Sequence, residues 1–408
     1  MGRRLLCLLI NALAAAGPGA WEISGDALRE AARIAASLDD AALASQVIMS
    51  GVDGKSGLDR DMRRLLEDCP PGALMLFRYN LDSPPDKVRA FIGECRDLVA
   101  AAATGSATGS ATGSAAAKNA GEGGAGAALP PFIAVDHEGG QVHRFGPGIG
   151  CLPAAASWGE LAEKEGTGAA LAALEAAAYE SGVEIRDLGV TLVLAPVAEP
   201  LNDDNRLFLG DRSFGGDAAF TAAAAAAYIR GMERAGLGCV AKHFPGNSGA
   251  DPHRGVSVLS WSPEELEQAV RPFAALAGGG GAPHLTGIMV SHALVPAWDA
   301  ERIGSFSPAL IGRRLREDLG FTGIVLADDF SMAAAASRMP PEEAAVLSLA
   351  AGADMVMAWP SGLRKLRGAI LAALEQGTLS RPRLEEAAAR IIAEKIRLGL
   401  LQFRPEIP

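Results

Sequence analysis

Eight short apolar runs recur along this chain, with segments of helical pattern between them. They span residues 46–51, 73–78, 130–136, 190–196, 238–243, 287–292, 323–328 and 353–358. Most of them are continuously apolar rather than alternating, which is typical of parallel strands covered on both faces. Eight strands alternating with helices predict an α/β fold, a TIM-like (β/α)8 barrel. A doubly wound open sheet is the structural alternative, because the pattern alone does not show whether the sheet closes.

Capping signals in three places support this alternation. Residues 262–265 (SPEE) combine an N-cap serine, a proline at the first helical position and a capping-box glutamate. Residues 307–308 (SP) predict the start of another helix, and Gly320 predicts its end. Ser380 predicts the start of the last helix, in which apolar residues recur at helical spacing through Leu400.

Two stretches of biased composition stand apart from the pattern. Residues 1–20 combine two arginines, an apolar run and small residues, which predicts a signal peptide. The protein is then exported to the periplasm or outside the cell if the leader is cleaved, and is cytoplasmic otherwise. Residues 102–129 carry three tandem Ala-Thr-Gly-Ser repeats and a Gly/Ala-rich tail, which cannot bury enough surface to offset the entropy of ordering. We expect a disordered insertion there, within a single catalytic domain of residues 21–408.

The composition argues against several classes of partner. A formal net charge of −11 argues against a nucleic-acid-binding protein, which usually needs a basic stripe. The five cysteines are scattered without CxxC spacing, so nothing indicates a zinc site or a disulfide framework. The apolar run of the leader is too short to span a bilayer, and no later segment qualifies.

Ionisable residues follow several predicted strands, at the position where a (β/α)8 enzyme builds its active site. The densest stretch, residues 242–253, carries Lys242, His243, Asp251 and His253. A surface loop with hydrogen-bonded histidines is the simpler interpretation of any one of them. Four such side chains within twelve residues, in a chain with six histidines, favour a functional site.

Charged residues also follow the third and fourth strands. Asp136 begins the segment 136–145 (DHEGGQVHRF), and Arg144 lies eight residues later. Arg144 could pair with Asp136 or Glu138 as a structural element, or the charged groups could bind sugar hydroxyls. Arg212 is open to the same two interpretations, a salt-bridged scaffold residue or a substrate clamp.

Two adjacent acids end the seventh strand. Asp328 and Asp329 directly follow the apolar run of residues 323–327. Because successive side chains of a strand point to opposite faces, both cannot enter the barrel mouth. We expect one to face the pocket and the other to support it.

Taken together, these segments resemble glycoside hydrolase family 3, and within it the bacterial β-N-acetylhexosaminidases that act on peptidoglycan fragments. The resemblance runs from about residue 40 to the C-terminus. It rests on the order and spacing of residues 136–145, 210–214 (GDRSF), 242–253 (KHFPG followed by D-x-H) and 327–332 (ADDFSM). The catalytic domain of that family is a TIM-like barrel, which agrees with the strand count.

The resemblance implies a retaining, exo-acting enzyme that removes terminal β-linked N-acetylglucosamine through a covalent glycosyl-enzyme. It implies carbohydrate substrates, N-acetylglucosaminides and possibly muropeptides, and no metal or cofactor. Asp328 matches the nucleophile, and His253 matches the general acid/base with Asp251 as its partner. The residues that match the binding site for the terminal sugar are Asp136, Arg144, Arg212, Lys242 and His243.

A retaining glycosidase needs a carboxylate that attacks the anomeric carbon and a group that first donates and later accepts a proton. With an ordinary pKa of about 6.5, His253 suits both directions at neutral pH. Residues 246–249, which contain two glycines, are expected to move it over a bound sugar and away again. The loop departs from the family pattern at Asn247, Ser248 and Pro252, where His, Gly and Ser are common.

Three other functions stay open at this point. A β-glucosidase or β-xylosidase could use the same scaffold, although the D-x-H segment favours the hexosaminidase. A glycoside phosphorylase would use phosphate in place of water, and a histidine acid/base also suits an anionic nucleophile. An exported sugar-binding protein without activity is the alternative from another class.

Overall fold

The computed structural model describes residues 23–106, 129–249, 254–278 and 281–402. One eight-stranded parallel sheet forms its centre. Its strands are β1 Ile48–Gly51, β2 Ala73–Leu76, β3 Phe132–Val135, β4 Leu192–Val193, β5 Gly238–Phe244, β6 Gly287–Val290, β7 Ile324–Ala327 and β8 Val356–Ala358. Consecutive strands pair from β1 to β7, and β8 pairs with β1.

The sheet closes into a barrel between β7 and β8. Leu326 forms a parallel bridge with Met355, and the Ala327 amide donates to the Met355 carbonyl at 3.0 Å. The predicted (β/α)8 barrel is therefore confirmed, and the open sheet is wrong. All eight strands lie within or overlap their predicted runs, because continuously apolar segments have buried positions on both faces of the sheet.

Strand β5 is the longest of the barrel and carries the residues predicted to be functional. Its pairing with β6 shifts register between Ala241 and Phe244, as at a β-bulge. A bulge turns side chains away from the regular alternation, and here it affects Lys242 and His243. The peptide bond between these two residues is cis.

Helices surround the barrel, and two β-hairpins extend its loops. The α-helices are Gly25–Ser37, Asp40–Gln46, Arg60–Asp68, Arg78–Leu81, Pro85–Ser106, Ala155–Glu165, Thr167–Asp187, Arg206–Leu209, Ala218–Arg234, Pro263–Ala277, Ala333–Ala336, Pro341–Ala351, Leu363–Glu375 and Arg381–Arg397. A π-helix covers Ala309–Asp318. The hairpins pair His137–Gly139 with Val142–His143 and Leu294–Val295 with Asp299–Ile303.

The predicted helix signals are confirmed, with corrected ends. Ser262 Oγ accepts the Glu265 amide at 3.2 Å, and the Glu265 carboxylate accepts the Ser262 amide at 2.7 Å. Ser380 Oγ accepts the Arg383 amide at 3.3 Å. The last helix ends at Arg397 rather than near Leu400, because the chain turns at Gly399, whose φ of 70° is left-handed.

Some predictions concern residues outside the described ranges. The predicted leader, residues 1–20, lies there, as do residues 107–128 of the predicted insertion. The first residues of that insertion continue the helix Pro85–Ser106, because four consecutive alanines at 100–103 favour helix. Within the described part of the chain, no helix combines the length and the apolar character needed to cross a membrane.

Buried charged residues lie at the end of the barrel where the strands begin. Asp354, fully buried before β8, accepts hydrogen bonds from Arg316, Arg383 and Arg390. Lys395, also fully buried, donates to Gln46 Oε1 at 2.8 Å. These groups stabilise the end of the barrel away from the loops that carry the predicted site.

Candidate active site

The carboxyl ends of the strands bring most of the predicted residues to one mouth of the barrel. Asp136 directly follows β3, Lys242 and His243 lie near the end of β5, and Asp328 directly follows β7. In a closed parallel barrel these ends face the same side, so residues far apart in sequence surround one space. Asp251 and His253 lie outside the described residues.

Lys242 is the central cation of a buried cluster of charges. Its Nζ donates to Asp136 Oδ1 at 2.8 Å and lies 2.7 Å from Glu138 Oε1. Lys242 is only 3% exposed, so its charge needs these two carboxylates to offset the cost of burial.

Each carboxylate of this cluster also binds an arginine. Arg144 Nη2 donates to the second oxygen of Asp136 at 2.9 Å. Arg212 binds Glu138 in a bidentate pair, with distances of 2.8 and 2.9 Å. Arg144 thus pairs with Asp136 and Arg212 pairs with Glu138, which was not predicted as a site residue. These contacts give the two arginines a structural role, and their position at the mouth leaves the role in sugar binding open.

The opposing charges determine the ionisation of the cluster. Burial raises the pKa of Glu138, but Lys242 and Arg212 outweigh it and hold that pKa at about 2. Burial acts the same way on Asp136, and Lys242 and Arg144 hold its pKa well below the usual range. Burial lowers the pKa of Lys242, whereas the two carboxylates raise it. At neutral pH all members are charged, and hydrogen bonds between them fix their orientation.

Glu199 organises the end of β5, although sequence reasoning missed it. Its carboxylate, 1% exposed, lies 2.6 Å from His243 Nδ1 and accepts the Asn247 amide at 2.7 Å. An ionised carboxylate can only accept, so Nδ1 of His243 donates the hydrogen of this bond. The sequence feature that could have identified Glu199 is its position as an acid shortly after the fourth apolar run, residues 190–196.

Residues 246–249 are anchored on both sides, which argues against the expected mobile arm in this segment. Ser248 Oγ donates to the Val258 carbonyl at 2.9 Å, and the Gly249 amide donates to the Asp204 carbonyl at 2.6 Å. Asn247 is held by Glu199 through its backbone and its side chain. The hydrogen bonds use the residues at which the loop departs from the family pattern, because Asn and Ser both supply side-chain donors.

The two acids after β7 have different surroundings. The Asp329 carboxylate accepts from Ser331 N at 2.8 Å, Ser331 Oγ at 2.7 Å and Trp359 Nε1 at 3.0 Å. The partly exposed Asp328 accepts the Asp329 amide on Oδ1 at 2.8 Å. Both acids are partly exposed, but the Asp329 carboxylate is occupied by three hydrogen bonds, whereas the Asp328 carboxylate accepts the Asp329 amide on one oxygen, an arrangement that suits Asp329 as the supporting acid.

His292, at the end of the sixth strand run, is a second residue that sequence reasoning did not single out. Its Nε2 donates to the Asp329 carbonyl at 3.0 Å, and its Nδ1 accepts from Ser305 Oγ at 2.8 Å. Burial lowers its pKa despite the nearby charge of Asp328. A neutral His292 thus fixes the backbone next to Asp328. In the described part of the chain, no three His, Cys, Asp or Glu side chains are grouped as a metal ion would require.

Comparisons with known proteins agree with this geometry. The model of the glycosyl hydrolase family 3 N terminal domain matches residues 108–393. A β-hexosaminidase of Methylococcus capsulatus is 35% identical over 329 residues, which cover 79% of this chain and 85% of that protein.

Solved structures show the same architecture. A family 3 β-N-acetylglucosaminidase from a Paenibacillus species superposes with a TM-score of 0.76 at 27% identity, over 89% of this chain and 63% of that chain. NagZ from Neisseria gonorrhoeae, in complex with N-trifluoroacetyl-D-glucosamine, superposes with a TM-score of 0.67 at 26% identity, over 85% of this chain and 89% of that chain. From the extent of these matches, this chain belongs to glycosyl hydrolase family 3.

Proposed function

We propose that this protein is a retaining, exo-acting β-N-acetylhexosaminidase that removes terminal β-linked N-acetylglucosamine. The observation that carries the proposal is the partly exposed carboxylate of Asp328, oriented by the Asp329 amide at 2.8 Å, at the same end of the barrel as the Lys242 cluster. Relatives named β-hexosaminidase and a NagZ structure with an N-acylated glucosamine support the choice of sugar.

In the first step, Asp328 attacks the anomeric carbon and forms a covalent bond to the sugar. The bond from that carbon to the glycosidic oxygen breaks, and this oxygen takes a proton from the general acid. We assign the acid to His253, with Asp251 stabilising its protonated ring, as the acid of a catalytic triad does. In the second step, a water molecule gives a proton to His253 and attacks the anomeric carbon, which releases Asp328 and a product of retained configuration.

The charged cluster is suited to bind the far end of the same sugar. Asp136 is partly exposed and ionised, so it can accept hydrogen bonds from hydroxyl groups, and Lys242 and Arg144 can donate to their oxygens. Their mutual contacts hold these side chains before a ligand arrives, which reduces the entropy lost on binding. Nε2 of His243 adds another group at the same end of strand β5.

The finer parts of the proposal concern the natural substrate and the location. We propose peptidoglycan fragments as the source of the sugar, because the motif resemblance is to enzymes that act on them. We propose export on the basis of the leader-like residues 1–20.

The test is hydrolysis of nitrophenyl β-N-acetylglucosaminide beside the corresponding glucoside and xyloside. We expect strong preference for the N-acetyl substrate, and equal rates in phosphate and in an inert buffer. Preference for the glucoside would contradict the assigned sugar, and dependence on phosphate would indicate a phosphorylase. Failure to turn over any of the three would favour the sugar-binding protein.

A further inference from the structure

Trp359, the residue after the last barrel strand, lies beside the loop that carries the proposed nucleophile. It directly follows β8, as Asp328 directly follows β7. These two strands are neighbours, because the Ala327 amide donates to the Met355 carbonyl where the barrel closes. The closure thus brings Trp359 next to Asp329, 30 residues earlier in the chain.

The indole of Trp359 donates to the acid next to the nucleophile. Its Nε1 lies 3.0 Å from Asp329 Oδ2 and 3.2 Å from Ser331 Oγ. Ser331 Oγ itself donates to the same Asp329 oxygen at 2.7 Å. An indole N–H can only donate and an ionised carboxylate can only accept, so the direction of the bond to Asp329 is fixed. A hydrogen bond to a charged acceptor is stronger than one between neutral groups.

The other hydrogen bonds of Asp329 are of two kinds. Those from the amide and hydroxyl of Ser331 span two residues, so they shape the turn without fixing where it lies. From the β6 side, His292 Nε2 donates to the Asp329 carbonyl at 3.0 Å. From the β8 side, the indole bond holds the same turn. The residue next to the nucleophile is therefore held from the strands on either side of β7.

This residue orients the nucleophile through its backbone. The Asp329 amide donates to Asp328 Oδ1 at 2.8 Å, so the direction of the amide and the orientation of the Asp328 carboxylate are coupled. A reacting group must be held within about 0.5 Å and about 10–20° of the productive geometry. A misplacement of about 1 Å can cost on the order of 100-fold in rate. A bond that restrains Asp329 thus affects the attack by Asp328 although it touches no substrate.

The Trp359 ring is itself packed in place. Its centroid is 4.8 Å from that of Phe77, with an angle of 17° between the rings. Gly51, the last residue of β1, lies beside the indole, and a Cβ there would come within 3.4 Å of Trp359 Cε3. This packing limits the positions of Nε1, so the indole restrains Asp329 rather than following its motion. Because Trp359 is 38% exposed, replacing it by another ring should change the free energy of unfolding little.

We propose that Trp359 is a positioning residue for the nucleophile and acts through its N–H bond to Asp329. The indole restrains Asp329 from the β8 side, the Asp329 amide orients Asp328, and Asp328 attacks the anomeric carbon. The inference rests on the proposed function, which gives Asp328 the role of nucleophile. It deepens that function by assigning part of the support of the nucleophile to β8, a strand followed by none of the residues predicted for the site.

The test is Trp359→Phe, which keeps a ring against Phe77 but has no N–H. For nitrophenyl β-N-acetylglucosaminide, kcat/KM should fall about tenfold, as expected for the loss of one hydrogen bond to a charged group. It should fall by the same factor for methyl N-acetyl-β-glucosaminide, because a misplaced nucleophile slows attack whatever the leaving group. The inhibition constant of N-acetylglucosamine should stay unchanged, because the bond acts on the attack and not on sugar binding.

Tyr79→Phe is the matched control. It removes a hydroxyl that donates to the Val52 carbonyl at 2.9 Å, from a ring that also lies against Phe77. This variant loses one hydrogen-bond donor of the same aromatic group without touching Asp329, so it should keep the wild-type kcat/KM on both substrates.

A second comparison tests the route through Asp329. Asp329→Ala removes the acceptor of the indole bond, so adding Trp359→Phe to it should cost far less than Trp359→Phe costs alone. Urea unfolding of each variant shows whether the losses are losses of folded protein. Equal costs of Trp359→Phe in both backgrounds would mean that the indole acts by another route, and would overturn the inference.

The remaining outcomes separate this inference from the proposed function. Wild-type kcat/KM in Trp359→Phe, with both substrates turned over by the wild type, would overturn the positioning role and leave the proposed function intact. A larger loss on the methyl glycoside would place the effect on the general acid, and weaker binding of N-acetylglucosamine would place it on the sugar site. Either result would overturn the inference as well. Turnover of neither substrate by the wild type would overturn the proposed function and this inference with it.

Discussion

Glu199 Oε1 lies 2.6 Å from Nδ1 of His243, at a sequence separation of 44 residues. The other oxygen of this buried carboxylate accepts the Asn247 amide at 2.7 Å. One side chain from the loop after β4 thus holds both the end of β5 and the start of the loop that leads to His253. This arrangement makes Glu199 a positioning residue for the proposed reaction.

We expect Glu199→Gln to lower kcat/KM by at least tenfold and to reduce the free energy of unfolding by about 2 kcal/mol. The substitution places an NH₂ group among donors and leaves a buried donor of His243 or Asn247 without an acceptor. Steady-state kinetics and urea unfolding measure the two effects, and the exposed Glu163→Gln is the matched control. Wild-type kinetics in Glu199→Gln would show that His243 does not depend on this contact.

Lys242→Met removes the cation between Asp136 and Glu138, and we expect a loss of about 3–5 kcal/mol in the free energy of unfolding. The cause is mutual repulsion between the carboxylates of the partly exposed Asp136 and the buried Glu138. In the double variant with Asp136→Asn the loss should be smaller than the sum of the two single losses, since one of the repelling charges is gone. Additive losses in urea unfolding would contradict a coupled cluster.

Lys242→Met should also change how the free energy of unfolding depends on pH in the acidic range. The folded-state pKa of Glu138 is about 2, below its ordinary value of 4.5, so its contribution is complete above pH 4.5 and is lost as the pH falls toward 2. Without Lys242 that pKa rises, and the loss begins at higher pH. Unfolding midpoints measured from pH 6 down to about pH 3 test this, and parallel curves for both proteins would be evidence against it.

The barrel and its strand ends could be predicted because they depend on local pattern. Continuous apolar runs locate parallel strands, and the residue after each run must lie at the barrel mouth, which located Asp136, Lys242 and Asp328. The nearest structural alternative, an open sheet, was excluded only by the bridge from Leu326 to Met355, a contact that no local pattern encodes.

The supporting residues could not be predicted because their partners are distant in sequence. Glu138 meets Arg212 across 74 residues, and His292 meets the Asp329 carbonyl across 37. A buried Glu or His has the same local pattern whether it supports a site or only the core. The anchoring of residues 246–249 was missed for the same reason, since glycines alone suggested mobility.

Asp354→Asn should lower the free energy of unfolding by about 3–5 kcal/mol while KM stays near the wild-type value. The fully buried carboxylate accepts from the partly buried Arg316, Arg383 and Arg390, and the variant removes the charge that all three share, leaving Glu386 as an acidic partner for Arg383 and Arg390 only. KM is spared because Asp354 precedes β8, at the opposite end of the barrel from the site. Asp68→Asn is the control, because its pair with Arg364 is half exposed and should contribute nothing measurable. Equal effects of the two substitutions would show that burial of the network does not determine its contribution.

The buried Lys395 should make the free energy of unfolding increase with pH. Burial lowers the pKa of its ammonium from 10.5 to about 7, although Nζ donates to Gln46 Oε1 at 2.8 Å and lies 5.4 Å from the centre of the Phe132 ring. Between these two values the unfolded chain binds more protons than the folded one, so the free energy of unfolding increases with pH by up to about 1.4 kcal/mol per pH unit.

We expect Lys395→Met to lose this increase between pH 7 and about pH 9.5, whereas the exposed Lys87→Met keeps it. The measurement is urea unfolding of the three proteins across that range. Other groups that titrate there contribute equally to all three, so the difference between wild type and Lys395→Met isolates the buried ammonium. A difference that stays constant with pH would mean that Lys395 remains protonated in the folded barrel, and that Gln46 and the Phe132 ring compensate for its burial.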